Sequence, residues 1–285
     1  MTKILIICGP TATGKTKLAV QLAKQFSGEL ISADSRQVYQ GMDIVTGKDK
    51  PKGVKIHGLD LVKPDEEFSV AHFVKLTRTL INQISFPIIV GGTGLYLDSL
   101  IKPPSTIFAK PNWKLREKLS FFSIPKLLKL LKQLNPKRLM QMNHSDQLNP
   151  RRLIRAIEVA IQKGPTFLSK GLDLKENNLL WIGLTAEKKI LDQRIKKRVE
   201  QRIKSGAIQE WQKLKKQYGS NLPSMSAIGY HQLPDVNKWI VAEQQYARRQ
   251  LTWFKKNKAI RWFDIDAKDL FKLVARQVKA WYTKK

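Results

Sequence analysis

Cysteine is almost missing from this chain. A single one, Cys8, stands among 285 residues, which excludes an internal disulfide and any multi-cysteine zinc site. Set in an apolar run, it reads as a small buried side chain. Histidine is nearly as scarce. His57, His72, His144 and His231 are scattered, and neither H-x-x-x-H nor H-E-x-x-H occurs, so a histidine-built metal site is not expected; His144, just before Ser145-Asp146, reads as part of a turn or cap. Long apolar runs are also lacking, and nothing approaches the roughly 18 consecutive residues of a membrane helix. The apolar opening, Lys3–Cys8, is too short for the core of a signal peptide and runs into a glycine-rich loop with no cleavage site. A cytoplasmic protein without a membrane partner is expected. Acids are the third shortage: 23 Asp plus Glu face 52 Lys plus Arg, a net charge of +29. A field of that sign attracts polyanions, although solvated faces of lysine-rich helices account for the charge equally well.

What is present is ordered. Hydrophobic residues make up 42% of the chain, enough for a sizeable core. Short apolar runs at Lys3–Cys8, Glu29–Ala33, Pro87–Val90, Leu179–Leu184 and Ile260–Phe263 predict buried strands. They alternate with helical patterns at Gly14–Phe26, Ser69–Ile84, Glu187–Ser205, Val236–Lys256 and Lys268–Tyr282. That alternation predicts an α/β fold with a parallel sheet flanked by helices. From Pro111 to Pro165 no strand pattern appears; Ile124–Leu134 and Arg151–Ile161 carry helical periodicity. The expected organisation is a core of residues 1–110 and 166–285 with an all-helical insertion at 111–165, hinged at Pro103-Pro104, Gly164-Pro165 and Gly171.

The segment Gly9-Pro10-Thr11-Ala12-Thr13-Gly14-Lys15-Thr16 matches G-x-x-x-x-G-K-[ST] throughout, after a predicted strand and at the opening of a predicted helix. Glycines let backbone N–H groups converge on phosphate oxygens, and the helix N-terminus adds its positive end. Lys15 would reach a terminal phosphate and Thr16 would ligate Mg²⁺. The loop specifies a bound polyphosphate without specifying ATP. A nucleotide hydrolase places an Asp at the end of another apolar strand, yet Phe86-Pro87-Ile88-Ile89-Val90 ends in Gly91-Gly92-Thr93-Gly94. The acid appears elsewhere, as Asp34 at the carboxyl end of the second strand. Ligands of open α/β sheets bind outside those ends, so Asp34, Thr93 and the phosphate loop should share one crevice. There Asp34 would act as a general base, bind Mg²⁺ indirectly, or serve as a turn cap.

Together these segments resemble the tRNA dimethylallyltransferases, also called isopentenyl-diphosphate:tRNA transferases, over nearly the whole chain. The matching stretches are GPTATGKT at 9–16, ISADSRQVYQGMDIVTGK at 31–48, IIVGGTGLYL at 88–97, NPRRLIRAIEV at 149–159, AIGYHQ at 227–232 and RRQLTWFKK at 248–256. The resemblance implies a P-loop NTPase-like core and a reaction that moves a dimethylallyl group from its diphosphate to N6 of the adenosine 3′ to the anticodon, position 37, in tRNAs reading codons that begin with U. It implies that Lys15 and Thr16 hold the diphosphate with Mg²⁺, that Asp34 takes the proton from the adenine amine, and that Thr93 binds the base region or the diphosphate. Contacts to tRNA are implied for Asp34, Ser35, Arg36, Gln37, Thr93 and Arg116, for Arg151, Leu153 and Arg155, and for Arg152 and Ile154 between them, so that the helical insertion grips the anticodon stem-loop. The protein is expected to be a monomer.

The chemistry is coherent. Stabilising the charge that develops on leaving diphosphate is the main task, and a carboxylate can take the proton from a weakly nucleophilic aryl amine. A base to be modified must be splayed out of its stack. Arg248, Arg249, Lys255 and Lys256 frame a helix whose Leu251, Trp253 and Phe254 are expected to pack on the sheet. Tyr39 and Met42 line the site or belong to the core. The chain departs from the family at Met225-Ser226, where many relatives carry a basic residue, and at Arg151, where relatives often have Gln. A P-loop kinase, an RNA-binding protein with a vestigial site, and a prenyltransferase acting on free adenine nucleotides remain alternatives.

Overall fold

A computed structural model describes residues 2–104, 106–162 and 178–284. In chain order the elements are β1 (Ile4–Cys8), α1 (Lys15–Phe26), β2 (Glu29–Ser32), β3 (Ile56–His57), α2 (Val70–Ile81), β4 (Pro87–Val90), α3 (Gly94–Ile101), α4 (Trp113–Ser120), α5 (Ile124–Leu134), α6 (Pro136–Gln141), α7 (His144–Gln147), α8 (Pro150–Gln162), β5 (Leu179–Thr185), α9 (Lys188–Lys204), α10 (Ala207–Tyr218), α11 (Val236–Phe254), β6 (Ile260–Asp264) and α12 (Leu270–Thr283). They fall into two compact units, Met1–Lys102 with Gly171–Lys285, and Pro103–Lys170. The second unit starts at the first proline of the expected Pro103-Pro104 hinge, ahead of Pro111. The hinges expected at Gly164-Pro165 and Gly171, and the boundary at 165–166, lie outside the described residues.

The larger unit is built on a six-stranded sheet in the order β3-β2-β4-β1-β5-β6, parallel throughout. The central strands read as unbroken apolar runs because both faces are covered. Every residue of β1 and β4 is buried, and Ile6 of β1 lies between Ile89 of β4 and Trp181 of β5. On one side Leu5, Ile7, Ile88 and Ile182 pack with Leu18 and Leu22 of α1 and with Val274 and Val278 of α12. A second core gathers Val38, Met42, Val45, Val199, Leu214, Tyr230 and Trp239. Met42 is wholly buried and Tyr39 is 5% exposed there, so both are core residues. The order β3-β2-β4-β1-β5-β6, with a phosphate loop between β1 and α1, is the P-loop NTPase-like arrangement.

The smaller unit has only helices among its described residues, α4 to α8. Leu119, Leu127, Leu131, Met142, Leu153 and Ile157 form its core. Its asparagines have a local purpose. Asn112, Asn135, Asn143 and Asn149 each accept a backbone N–H three residues on, from Leu115, Arg138, Asp146 and Arg152, which starts α4, α6, α7 and α8. His144 is the first residue of α7, and Asn143 is its cap. No helix among the described residues is long and apolar enough to cross a membrane.

Candidate active site

The phosphate loop turns sharply between β1 and α1 because three of its residues adopt positive-φ backbone conformations, which favour glycine. Gly9 has φ 130° and Gly14 φ 81°, while Ala12 is held at φ 64°. A Cβ on Gly9 would lie 2.3 Å from the Leu184 carbonyl oxygen, so the loop can press against β5 only with glycine here. The Pro10 carbonyl accepts from Lys15 Nζ at 2.6 Å and from Thr13 Oγ1 at 2.8 Å. Burial, followed by the Arg198 guanidinium, pushes the Lys15 ammonium down to about 8.

Around the loop opens a cleft of about 1030 Å³. Its walls include Thr11, Ala12, Gly14, Lys15 and Thr16 of the loop, Asp34, Ser35, Arg36 and Gln37 after β2, and Gly91 and Gly92 after β4. Each segment follows the carboxyl end of a strand, as the sheet topology requires of a ligand site. The phosphate loop and Asp34 share this cleft; of the turn after β4, Gly91 and Gly92 line it, whereas Thr93 does not. Asp34 Oδ1 accepts the backbone N–H of Arg36 at 2.8 Å and of Gln37 at 3.4 Å, so the residue does cap a turn; Oδ2 makes no hydrogen bond to a described residue. Thr93 Oγ1 accepts from the Ser35 N–H at 3.2 Å, which ties the turn after β4 to the turn after β2. Arg36 Nη1 donates to the Pro223 carbonyl at 2.9 Å, and Gln37 Nε2 to the Gly47 carbonyl at 3.2 Å. Ser226, where a basic residue was expected from the resemblance, lines the cleft and donates its hydroxyl to Pro223.

Three arginines of the wall were not anticipated. Arg194, Arg198 and Arg202 follow one another at intervals of four along α9 and share a face of it. Arg194 Nε donates to the Ala12 carbonyl at 2.8 Å and Arg198 Nη1 to Thr11 Oγ1 at 2.7 Å. Arg202 pairs with Glu243 at 3.0 Å; burial and the neighbouring Arg198 push it down to about 10, against the pull of Glu243. The spacing was visible in R-x-x-x-R-x-x-x-R, but a basic helix face has a bland reading that sequence alone favours. Helix α11 supplies a second unforeseen stripe, Glu243, Tyr246 and Gln250, all lining the cleft with Arg249. Burial and the charge of Asp34 push the Tyr246 phenol above its ordinary value, while a hydrogen bond with Thr93 acts the other way. Farther along α11, Phe254 is buried as expected, whereas Trp253 is 37% exposed and donates to Asp98 at 2.8 Å.

The remaining expected contacts belong to the smaller unit. Glu158, wholly buried, accepts both Nε (2.9 Å) and Nη2 (2.8 Å) of Arg116 and also pairs with Arg155. Arg155 Nη2 further donates to the carbonyls of Thr106 and Ala109 at 3.1 and 2.8 Å. Arg152 pairs with Asp146, and Arg151 is exposed. Leu153 and Ile154 point into the core at 0% and 8% exposure. Their side chains therefore have little or no surface to offer a nucleic acid, and only the arginines of this run do. The run alternates because one face of α8 packs and the other is solvated.

A family model described as IPP transferase matches residues 37–257, and one described as isopentenyl transferase matches residues 2–62. The tRNA dimethylallyltransferase of Anoxybacillus flavithermus is 37% identical over 290 residues, covering 94% of this chain and 92% of its own. Among solved structures, the full-length tRNA isopentenylpyrophosphate transferase from Bacillus halodurans superimposes with a TM-score of 0.73 at 34% identity, over 99% of this chain and 97% of that one. A eukaryotic dimethylallyltransferase acting on tRNA gives a TM-score of 0.78 at 26% identity, over 98% and 78%.

Proposed function

The chain belongs to the IPP transferase family, and from that premise we propose that it transfers a dimethylallyl group from dimethylallyl diphosphate to N6 of adenosine 37 in tRNAs reading codons that begin with U. The observation that carries this reading is the convergence of the phosphate loop, its flanking arginines and Asp34 in one cleft. The loop amides, Lys15, Arg194 and Arg198 receive the diphosphate. Asp34 faces the adenine amine with the oxygen that its turn leaves unused, and Thr93 orients the base beside it. As the bond between N6 and the allylic carbon forms, the bond from that carbon to diphosphate oxygen breaks. The N6 proton passes to Asp34, and the fixed positive groups take up the charge on the departing diphosphate.

Mg²⁺ belongs to the same reading. Thr16 lines the cleft beside Lys15, and among the described residues no group of three His, Cys, Asp or Glu could hold an ion alone. That donor set fits an ion carried mainly by diphosphate oxygens, where it would neutralise charge on the leaving group. Arg151 and the other exposed bases of the insertion would take tRNA phosphates. The protein would work as a cytoplasmic monomer.

One incubation tests the reaction: purified protein, unmodified tRNA transcript, Mg²⁺ and dimethylallyl diphosphate, followed by mass spectrometry of the nucleosides. A gain of one dimethylallyl group on adenosine 37 is expected. Consumption of ATP with no prenylated nucleoside would replace the reading with phosphoryl transfer.

A further inference from the structure

Gln250 sits in the interior of α11, 5% exposed, in a helix that packs chiefly against α9 and α3. Its two amide atoms are both engaged, and by two different walls of the cleft. Oε1 accepts the backbone N–H of Thr11 in the phosphate loop at 2.8 Å, and Nε2 donates to the Gly92 carbonyl after β4 at 2.9 Å. The approach is close enough to dictate the residue opposite. A Cβ built on Gly92 would stand 2.1 Å from Nε2, so the bridge requires glycine there. One turn earlier on the same face, Tyr246 lines the same cleft. The donor loop and the acceptor turn are thus joined through one rigid helix, with no direct hydrogen bond between Thr11 and Gly92 or Thr93.

We propose that Gln250 is a positioning residue that holds the phosphate loop in register with the turn carrying Thr93. The proposal rests on the transferase reading and adds a requirement to it. The loop fixes the allylic carbon through its diphosphate, while Asp34 and Thr93 fix the amine. Their alignment depends on the separation of two backbone segments beyond the last sheet bond, from the Gly91 N–H to the Ile7 carbonyl at 3.1 Å, and Gln250 holds that separation. A misplacement of about 1 Å between reacting atoms costs on the order of 10²-fold in rate. Each substrate, however, is bound mainly by its own wall.

The test is single-turnover transfer by the full chain, with dimethylallyl diphosphate and tRNA both saturating, in the wild type and two variants. Gln250→Met keeps the length and the burial and removes both bonds. Gly92→Ala displaces the amide from the other side and leaves α11 and the phosphate loop untouched. Both are expected to lower the single-turnover rate about 10²-fold while the dissociation constants for donor and tRNA change less than about threefold. A donor dissociation constant that weakens in step with the rate would overturn the proposal and make Gln250 a prop for the phosphate loop alone. An unchanged rate in either folded variant would overturn it too. Should Gln250→Met lose its cooperative thermal transition, Gly92→Ala decides. Wild-type protein without transfer would instead count against the transferase reading.

Discussion

In the larger unit Arg194 and Arg198 reach the phosphate loop by its carbonyl and hydroxyl oxygens and keep the rest of their donors facing an open cleft. In the smaller unit Arg116 and Arg155 close on a single buried carboxylate, Glu158. One arrangement leaves positive charge for a ligand; the other neutralises it to hold helices together. Burial pushes the Glu158 carboxyl up, but the bonds from Arg116, the Asn112 N–H and Arg155 outweigh it and hold the group below the usual glutamate value. A count of basic residues does not separate these uses. The position of the nearest acid does.

The contrast breaks most sharply at Asp34, an acid of the cleft that forms no ion pair with an arginine. Asp34→Ala is expected to slow transfer about 10²–10⁴-fold with tRNA affinity nearly intact, as read by single-turnover rates beside filter binding. A collapse of tRNA binding would make Asp34 a turn cap first. Next in size is Lys15→Met, expected to cost roughly 10²-fold in kcat/KM for the donor. The same lysine gives a pH signature. With its ammonium pushed down to about 8 in the free protein, its charge is present below that value and lost above it. Donor kcat/KM is therefore expected to fall as pH rises through about 8, and a profile flat from 7 to 9 would remove Lys15 from donor binding.

The smaller unit should respond in stability before chemistry. Glu158→Gln leaves two guanidiniums without their shared carboxylate. Discounted because both arginines are about one-third exposed, the cost is about 2 kcal/mol, measurable by urea unfolding. The acid dependence has a definite sign. A carboxyl whose folded value is depressed stabilises at pH above its unfolded value, near ~4.3, and loses that contribution as pH falls through the folded value. The variant should therefore be less stable than the wild type at neutral pH, with the difference shrinking as pH falls through the folded value and the two converging in strong acid. The smallest effect belongs to Arg151→Glu, which should weaken tRNA binding and lower its salt slope by about one ion or slightly more. An unchanged slope would place the RNA elsewhere.

The legible part of the fold was the sheet, since a strand buried on both faces has to be apolar throughout; Pro87–Val90 is observed at its expected bounds, and Ile4–Cys8 differs by one residue. The edge strand Ile56–His57 is two residues long, too short to carry a period. Helix α10 was missed because its Ala207–Tyr218 sequence mixes lysines with few buried positions, only Ala207 and Leu214. At the site, the phosphate loop and Asp34 were readable because backbone geometry demands particular residues there. Arg198 and Gln250 were not, because their partners lie 187 and 239 residues away. Leu153 and Ile154 were assigned to the RNA from a continuous motif, whereas a helix presents only one side of such a motif to anything outside.

The lone thiol of β1 has a practical side. Cys8 is fully enclosed, and burial pushes its pKa up to about 12 despite the pull of Lys15. At neutral pH almost none of it is thiolate, the form that reacts with alkylating reagents. The protein therefore offers a silent background for site-directed labelling. A cysteine substituted for Phe121, which is 84% exposed on the helical unit, would take a maleimide dye with the native sequence otherwise intact, and its emission would report the arrival of RNA on that unit.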